Sequence, residues 1–192
     1  MDFISQTNYE LHREHLRQLK LRMSIFKKSY PEIVGKSCKE IMKLSIKRPE
    51  REAAAALYAD ILAHELYFSS FAVANAASPA IRKTYGSEAG FIHQLTMAAG
   101  DSFGFLFVAT DRRGVPQISV HTDPLSAYLS DSTPTLAVDL CEHAYFYDYF
   151  FDKAAYLLFR ALQAVGECAV LNGGEKIFIA HFCRLVKCTH TS

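Results

Sequence analysis

The sequence predicts an α+β fold in which an N-terminal long α-hairpin precedes an α/β half with a three-stranded antiparallel sheet and further helices. Two long stretches in the first half space their apolar residues as one face of a helix requires. Three short runs in the second half have strand character, and a turn-like tetrapeptide joins the first two. Half of the 192 residues are hydrophobic, which is enough to bury one sizeable core.

The first half is predicted to consist of two long helices with a short one between them. Helical patterns cover residues 6–30, residues 35–42 and a stretch from Glu50 to about Ala77. We expect the two long helices to lie antiparallel. Each carries one histidine of interest, His12 near the start of the first and His64 in the middle of the second.

The second half is predicted to alternate between helices and strands. The elements are a helix over residues 87–99, strands over 103–110, 116–121 and 135–139, and helices from Glu142 and from Lys153 to about Val170. The tetrapeptide Asp111-Arg112-Arg113-Gly114 has turn composition, so the first two strands should form a hairpin. Residues 123–124 and 131–134 are predicted to be loops.

Punctuation by proline and glycine divides the chain into three parts. We expect residues 1–78 to form the N-terminal helical hairpin, residues 79–172 the C-terminal α/β half, and residues 173–192 a C-terminal extension. Residues 177–186 of this extension are too apolar for a free tail, which predicts that the segment docks on a partner in a large assembly.

Charge and cysteine content exclude several classes of protein. The net charge of +1 gives no reason to expect a direct site for duplex nucleic acid, and no run is apolar enough to span a membrane. Five scattered cysteines do not suit a secreted disulfide framework, so a reducing interior is the expectation. The N-terminal residues contain acids and do not look like a mitochondrial presequence.

One segment places metal-ligating residues where a strand passes into a helix. Asp139 stands at the end of the third predicted strand, and His143 follows four residues later in an aromatic-rich helix. A carboxylate that leaves a strand and an imidazole one helical turn onward can meet at a single point. The alternative is an ordinary turn with an Asp N-cap and a structural histidine.

The segment Asp139–Tyr145 resembles the signature of the iron/manganese superoxide dismutase family, with Cys141 in place of a tryptophan. Further points of likeness are Gly35-Lys36-Ser37, His64-Glu65-Leu66-Tyr67-Phe68, Phe103–Phe107, Asp123-Pro124-Leu125 and Thr133-Pro134. The likeness covers residues 6–171 in order and spacing. It implies the fold of that family and a redox-active iron or manganese ion, one per chain.

The resemblance assigns four metal ligands, which are His12, His64, Asp139 and His143. Three imidazoles and one carboxylate leave a five-coordinate ion room for one water or hydroxide, which suits iron or manganese. Zinc fits the same ligands but cannot change oxidation state.

Several positions depart from the family pattern. Lys20 stands where the family has a tyrosine that guards the substrate channel, and Leu16 where it has a histidine. Phe146 replaces the tyrosine that pairs with this histidine from the other subunit. A polar pair replaced by two apolar groups can be structurally neutral, but it no longer relays protons.

The resemblance also predicts changes around the metal-bound water. The outer-sphere glutamine of the family is replaced at its two alternative positions by Asp60 and Thr122, which makes Asp60 our candidate catalytic residue and partner of that water. The tryptophans of the wall become Phe105, Phe107 and Cys141. Loss of such supporting groups often costs about 10–100-fold in affinity or activity.

Two hypotheses for the function stay open. The first is a divergent superoxide dismutase whose activity is weak or lost. The second is a non-catalytic structural subunit of a large mitochondrial assembly such as the small subunit of the mitochondrial ribosome, which would make the protein mitochondrial. The resemblance implies that Glu142 reaches the metal-ligand histidine of a neighbouring subunit, so we expect a homodimer, or a heterodimer with a related chain, through the Glu142/His143 region.

Overall fold

The helical half and the sheet half of the fold meet at the carboxyl end of the third strand. The computed structural model describes residues 4–46, 48, 50–70 and 79–165. The first half comprises α1 (Gln6–Ser29), a single 3-10 turn (Pro31–Ile33), α2 (Cys38–Ser45) and α3 (Glu50–Ser69). The second half comprises α4 (Pro79–Tyr85), α5 (Glu88–Ala99), β1 (Phe105–Thr110), β2 (Pro116–His121), α6 (Pro124–Leu129), β3 (Thr133–Asp139), α7 (Glu142–Tyr149) and α8 (Lys153–Ala164).

Helices α1 and α3 form the predicted antiparallel hairpin. α1 begins where the Ser5 hydroxyl accepts a hydrogen bond from the backbone N–H of Asn8, which satisfies a free donor of the first turn. Residues early in α1 contact residues late in α3, as the rings of Tyr9 and Phe68 show with centroids 5.4 Å apart. The buried stripe of α1 consists of Asn8, His12, Leu16, Leu19 and Met23. Its spacing of three and four residues places these side chains on one face, against α3.

Helix α2 seals one end of the hairpin. It begins with a capping box in which Ser37 and Glu40 satisfy each other's backbone N–H groups. Its buried residues Cys38 and Ile41 pack with Ile33 into the same core as the α1 stripe and the alanines of α3. The first half is therefore held together mainly by burial of apolar surface.

The sheet is antiparallel throughout, with the order β2-β1-β3 in the described residues. The central strand, β1, alternates between two cores: Leu106 and Val108 face α5 and α8, while Phe105 and Phe107 face α3. Phe105 lies opposite Asp139 in the ladder. The end of the sheet that carries Asp139 is therefore packed against helices on both faces.

The predicted α+β fold is confirmed, whereas several predicted boundaries are wrong. α3 ends at Ser69, short of Ala77, and residues 71–78 lie outside the described part of the chain, as do residues 166–192 with the extension. β1 begins at Phe105 because Gly104 has a φ of +97°, and a Cβ there would lie 2.3 Å from the His121 carbonyl oxygen.

Both predicted loops contain regular structure. The first begins a helix, α6, because the Asp123 carboxylate accepts from the N–H of Leu125 and Pro124 suits the first turn. The second is the start of β3, where Pro134 is tolerated because β3 is an edge strand with an irregular register at this point. Among the described helices, none combines the length and the hydropathy that a membrane span requires.

Candidate metal centre

Four side chains from four elements converge on one point beneath the α1–α3 hairpin. They are His12 of α1, His64 of α3, Asp139 at the end of β3 and His143 of α7, and one ligand atom of each lies within 4.8 Å of the others. Asp139 Oδ2 is 3.2 Å from His12 Nε2, 3.6 Å from His64 Nε2 and 2.9 Å from His143 Nε2. The structure thus brings together all four residues to which the resemblance assigned the metal.

The backbone around the carboxylate fixes its orientation. Asp139 is completely buried, and its Oδ1 accepts a hydrogen bond of 2.8 Å from the N–H of Cys141, which leaves Oδ2 to face the histidines. The hydroxyl of buried Tyr156 donates to the Asp139 carbonyl oxygen at 2.8 Å. Both contacts lie where strand passes into helix, so the local turn itself aims the carboxylate.

The two buried histidines are held by different means. His64 Nδ1 lies 2.8 Å from the carbonyl oxygen of Asp60, one helical turn earlier, so this nitrogen carries the proton and Nε2 is the free ligand atom. His12 is packed between aromatic rings, with centroids 4.6 Å from Tyr67 and 5.1 Å from Phe68.

Three buried polar atoms at this point lack a hydrogen bond of acceptable geometry. They are His12 Nε2, His64 Nε2 and Asp139 Oδ2. A buried polar atom without a partner costs roughly 1–3 kcal/mol, and here three such atoms face each other. A single cation would satisfy all of them together. Imidazole nitrogens with one carboxylate oxygen are a donor set that iron, manganese and zinc accept, so these residues fit the metal that the resemblance implies.

Comparison with known protein families supports the same interpretation. Residues 73–163 match the family model described as iron/manganese superoxide dismutases, C-terminal domain. This match supports membership of the chain in the iron/manganese superoxide dismutase family. A search of the curated proteins finds no match to this chain. Members of the family are generally oligomeric.

Electrostatics place two of the four candidate ligands, His12 and Asp139, in the protonation states that a metal requires. Burial lowers the pKa of His12 from 6.5 to about 4, so the ring is neutral at pH 7. Burial also works to raise the pKa of the Asp139 carboxyl, but its contacts with His12 and His143 outweigh burial and hold the pKa well below its usual range. Asp139 is therefore an anion beside a neutral imidazole.

The pKa of His64 moves in the opposite direction. Burial works to lower it, but the contact with Asp60 and the charge of Asp139 outweigh burial and raise it above 6.5. The Asp60 carboxylate oxygen lies 3.2 Å from His64 Nδ1. Asp60 therefore supports a candidate ligand from behind, and its predicted role as partner of a metal-bound water stays a prediction.

A second histidine of α1 at the site, His15, was not predicted as a site residue from the sequence. Its ring centroid lies 5.0 Å from that of His64 and 4.8 Å from that of His143, at the exposed side of the cluster. His15, Asp60 and His64 form a second group with metal-ligand spacing. Because His64 Nδ1 already donates to Asp60, only two ligands of this group are free. The spacing of His12 and His15 by three residues was the available signal, since it places both on one helix face.

Three of the replaced family positions lie on α1 and α7, the helices that carry His12 and His143. Lys20 pairs with Glu65 of α3 at 2.7 Å, and both side chains are about half exposed. Leu16 is buried in the hairpin core, and Phe146 is 40% exposed. Lys20 is therefore already paired with an acid, and the other two positions hold apolar side chains.

The predicted wall residues take different places. Phe105 contacts His64 with ring centroids 5.1 Å apart, whereas Phe107 lies behind it, stacked on Phe105 at 5.8 Å. Cys141 and Thr122 line a cavity next to the centre. Burial raises the pKa of the Cys141 thiol to about 12, so it is a neutral side chain of the wall at pH 7.

Proposed function

We propose that this chain binds one iron or manganese ion through His12, His64, Asp139 and His143, and that it dismutates superoxide slowly or not at all. The convergence of three unpaired buried ligand atoms supports the metal site. An iron or manganese ion supplies one-electron transfer between its +2 and +3 states. The family match favours these two metals over zinc, which accepts the same ligands but does not change its oxidation state.

The residues around the ligands support the slow rate. Lys20 is paired with Glu65, and neither Leu16 nor Phe146 has a group that can carry a proton. Reduction of superoxide to peroxide consumes protons, and none of these three positions supplies one to the centre. The negative charge of Asp60 behind His64 also favours the oxidised ion.

Metal content and superoxide consumption, measured on one preparation, test the proposal. We expect about one iron or manganese per chain and a rate far below that of an active family member assayed alongside. The His12→Gln variant should lose most of the metal. Chain from its native source that contains no metal would refute the metal site, and a family-like rate would refute the loss of activity.

A second candidate function has its own observation in favour. Exposed apolar side chains cluster beside the centre, on α1 and on α7 with the residues after it: Leu11, Phe146, Tyr147, Phe150 and Phe151. Apolar patches of this kind mark surfaces that meet another protein. They support a role as non-catalytic structural subunit of a large mitochondrial assembly. They equally support a homodimer, or a heterodimer with a related chain, through the Glu142/His143 region.

Sedimentation of the isolated chain separates these arrangements. A homodimer that dissociates when Phe146 and Phe151 are changed to serine supports self-association through this patch. A monomer that becomes a heterodimer only when mixed with a related chain supports the structural subunit. A chain that stays monomeric both alone and when mixed with a related chain would contradict both arrangements.

A further inference from the structure

The candidate metal centre opens into a cavity of about 430 Å³ that superoxide does not explain. His64 and His143 lie at one side of this cavity, and Arg22 of α1 lies in its wall. We call it the Arg22 cavity. A water molecule takes up only about 30 Å³ in the liquid, whereas cavities of roughly 300–1,000 Å³ hold small organic ligands. The space beside the centre therefore admits a molecule much larger than a diatomic anion.

Small side chains create this space. Ala53 and Ala56 face it from α3, and Gly104 and Cys141 face it from the strand ends. A larger residue at Gly104 is excluded by the close approach of the His121 carbonyl oxygen. The backbone therefore requires glycine at position 104, and the absence of a side chain there leaves space in the cavity.

Arg22 supplies a cation in the wall of the cavity, two turns of α1 beyond His15. It is exposed, and it forms neither an ion pair nor a hydrogen bond with any residue that the structure describes. By contrast, Arg17 and Lys20 of the same helix are paired with Glu14 and Glu65. A planar guanidinium without an acidic partner matches a carboxylate in two-point geometry.

The acids of the cavity wall are engaged elsewhere. Asp60 faces His64 Nδ1, and Asp123 accepts the N–H of Leu125 at the start of α6. Within the described residues neither acid pairs with Arg22, so its guanidinium is open to an incoming anion.

Helix geometry sets the length of the ligand. His15 and Arg22 are seven residues apart, so they lie on the same face of α1 about 10 Å apart along the axis. An arginine side chain reaches back toward the helix N-terminus, which shortens the gap between its guanidinium and the centre. Dicarboxylates of four to six carbons, which are shorter than this axial distance, are therefore the candidate ligands.

We propose that the Arg22 cavity binds a small organic dicarboxylate, with one carboxylate on the Arg22 guanidinium and the other toward the metal centre. The second anchor rests on the proposed metal site, whereas the first depends on Arg22 alone. The ligand class follows from the Arg22 guanidinium at one place in the wall and, once an ion is bound, the metal centre at another, with small side chains between them.

Calorimetric titration of the manganese-loaded chain with succinate, glutarate and adipate tests this proposal. We expect saturable binding of at least one of them, at least tenfold tighter than binding of butyrate, which has a single carboxylate. Arg22→Gln should weaken that binding at least tenfold. Arg17→Gln, on the same helix but outside the cavity, should leave it unchanged. Absence of saturable binding by all three, or equal binding by Arg22→Gln and wild type, would overturn the proposal.

A steric variant tests the cavity without changing charge. Ala53 is exposed on α3, so Ala53→Leu fills the cavity without disturbing the core, and it should weaken dicarboxylate binding at least tenfold. Ala154→Leu, exposed on α8, is the matched control. Unchanged binding by Ala53→Leu would place the ligand outside the cavity and refute the assignment.

Metal content of the same samples separates this proposal from the proposed function. A chain that takes up no manganese or iron refutes the metal site. Arg22 then still predicts dicarboxylate binding to the metal-free chain, weakened at least tenfold by Arg22→Gln. Equal binding by the two metal-free proteins overturns the inference on its own.

Discussion

The inner wall and the outer rim of the metal centre are built in opposite ways. The inner wall consists of His12, His64 and Asp139, which are all nearly inaccessible to solvent. The rim consists of exposed or half-buried residues, among them His15 and Lys20. The inner wall keeps the residue types of the family pattern, whereas departures lie both at the rim, as at Lys20, and at buried positions such as Leu16 and Phe107.

Packing accounts for part of the difference. Each inner residue is also part of a core: His12 lies in the buried stripe of α1, and Asp139 ends the strand that pairs with Phe105. A change there disturbs folding as well as chemistry. Lys20 touches solvent and one partner, so its replacement has little structural effect. The comparison teaches that the positions of candidate ligands can keep their residue types while their surroundings vary.

Replacement of the central carboxylate should have the largest effect. Asp139→Asn keeps an acceptor for the Cys141 N–H but removes the charge that faces the three histidines. We expect the variant to bind no measurable metal. Wild-type chain at a metal concentration about 100 times the Kd should gain about 2.7 kcal/mol of unfolding free energy, and the variant none. Thermal unfolding with and without manganese measures this, with Asp152→Asn at the α8 cap as control. Equal stabilisation of both would contradict the role of Asp139.

The second prediction concerns acid stability of the metal-free chain. Because the pKa of His12 is lowered to about 4, the unfolded chain binds a proton between pH 6.5 and pH 4 that the folded chain does not. The stability due to this group is present above pH 6.5 and is lost as the pH falls toward 4, by up to about 3 kcal/mol. Urea unfolding across this range measures the slope. His12→Gln should flatten it, and an unchanged slope would show that His12 is not the cause.

Asp60 is partly buried, between the inner wall and the rim of the centre, and its replacement should have an intermediate effect on the metal site. Asp60→Asn removes a negative charge next to His64, so the metal midpoint potential should rise and metal affinity should fall about tenfold. Redox titration and competitive chelation measure the two quantities. Asp123→Asn, which can still cap α6, is the matched control. Equal shifts in both variants would mean that general charge, and not the contact with His64, sets the potential.

The smallest effect is expected at the rim itself. Lys20→Met breaks the pair with Glu65, whose partners are about half exposed, and should change the unfolding free energy by less than about 0.5 kcal/mol. Chemical denaturation at low and high salt measures it. A loss of several kcal/mol would show that the rim has a structural role that its exposure does not reveal.

The sequence predicted the inner wall better than the rim, for a physical reason. His12, His64, Asp139 and His143 each stand at a fixed point of a regular element, so helix and strand periods carry their positions into space. The approach of His15 to His64 and His143 depends on how α1 and α7 pack, which spacing along one helix does not reveal. The short helix after Asp123 was missed because Asp-Pro signals both a turn and a helix start.

The four candidate ligands are drawn equally from the helical half and the sheet half of the chain. An ion bound by them would hold the two halves together. Metal binding and the packing of the halves against each other would then be linked equilibria. Backbone amides of β3 and of the second half of α3 should then exchange hydrogen more slowly as the site fills, in both halves together. Metal binding would thus stabilise the folded chain, whether or not the centre catalyses a reaction.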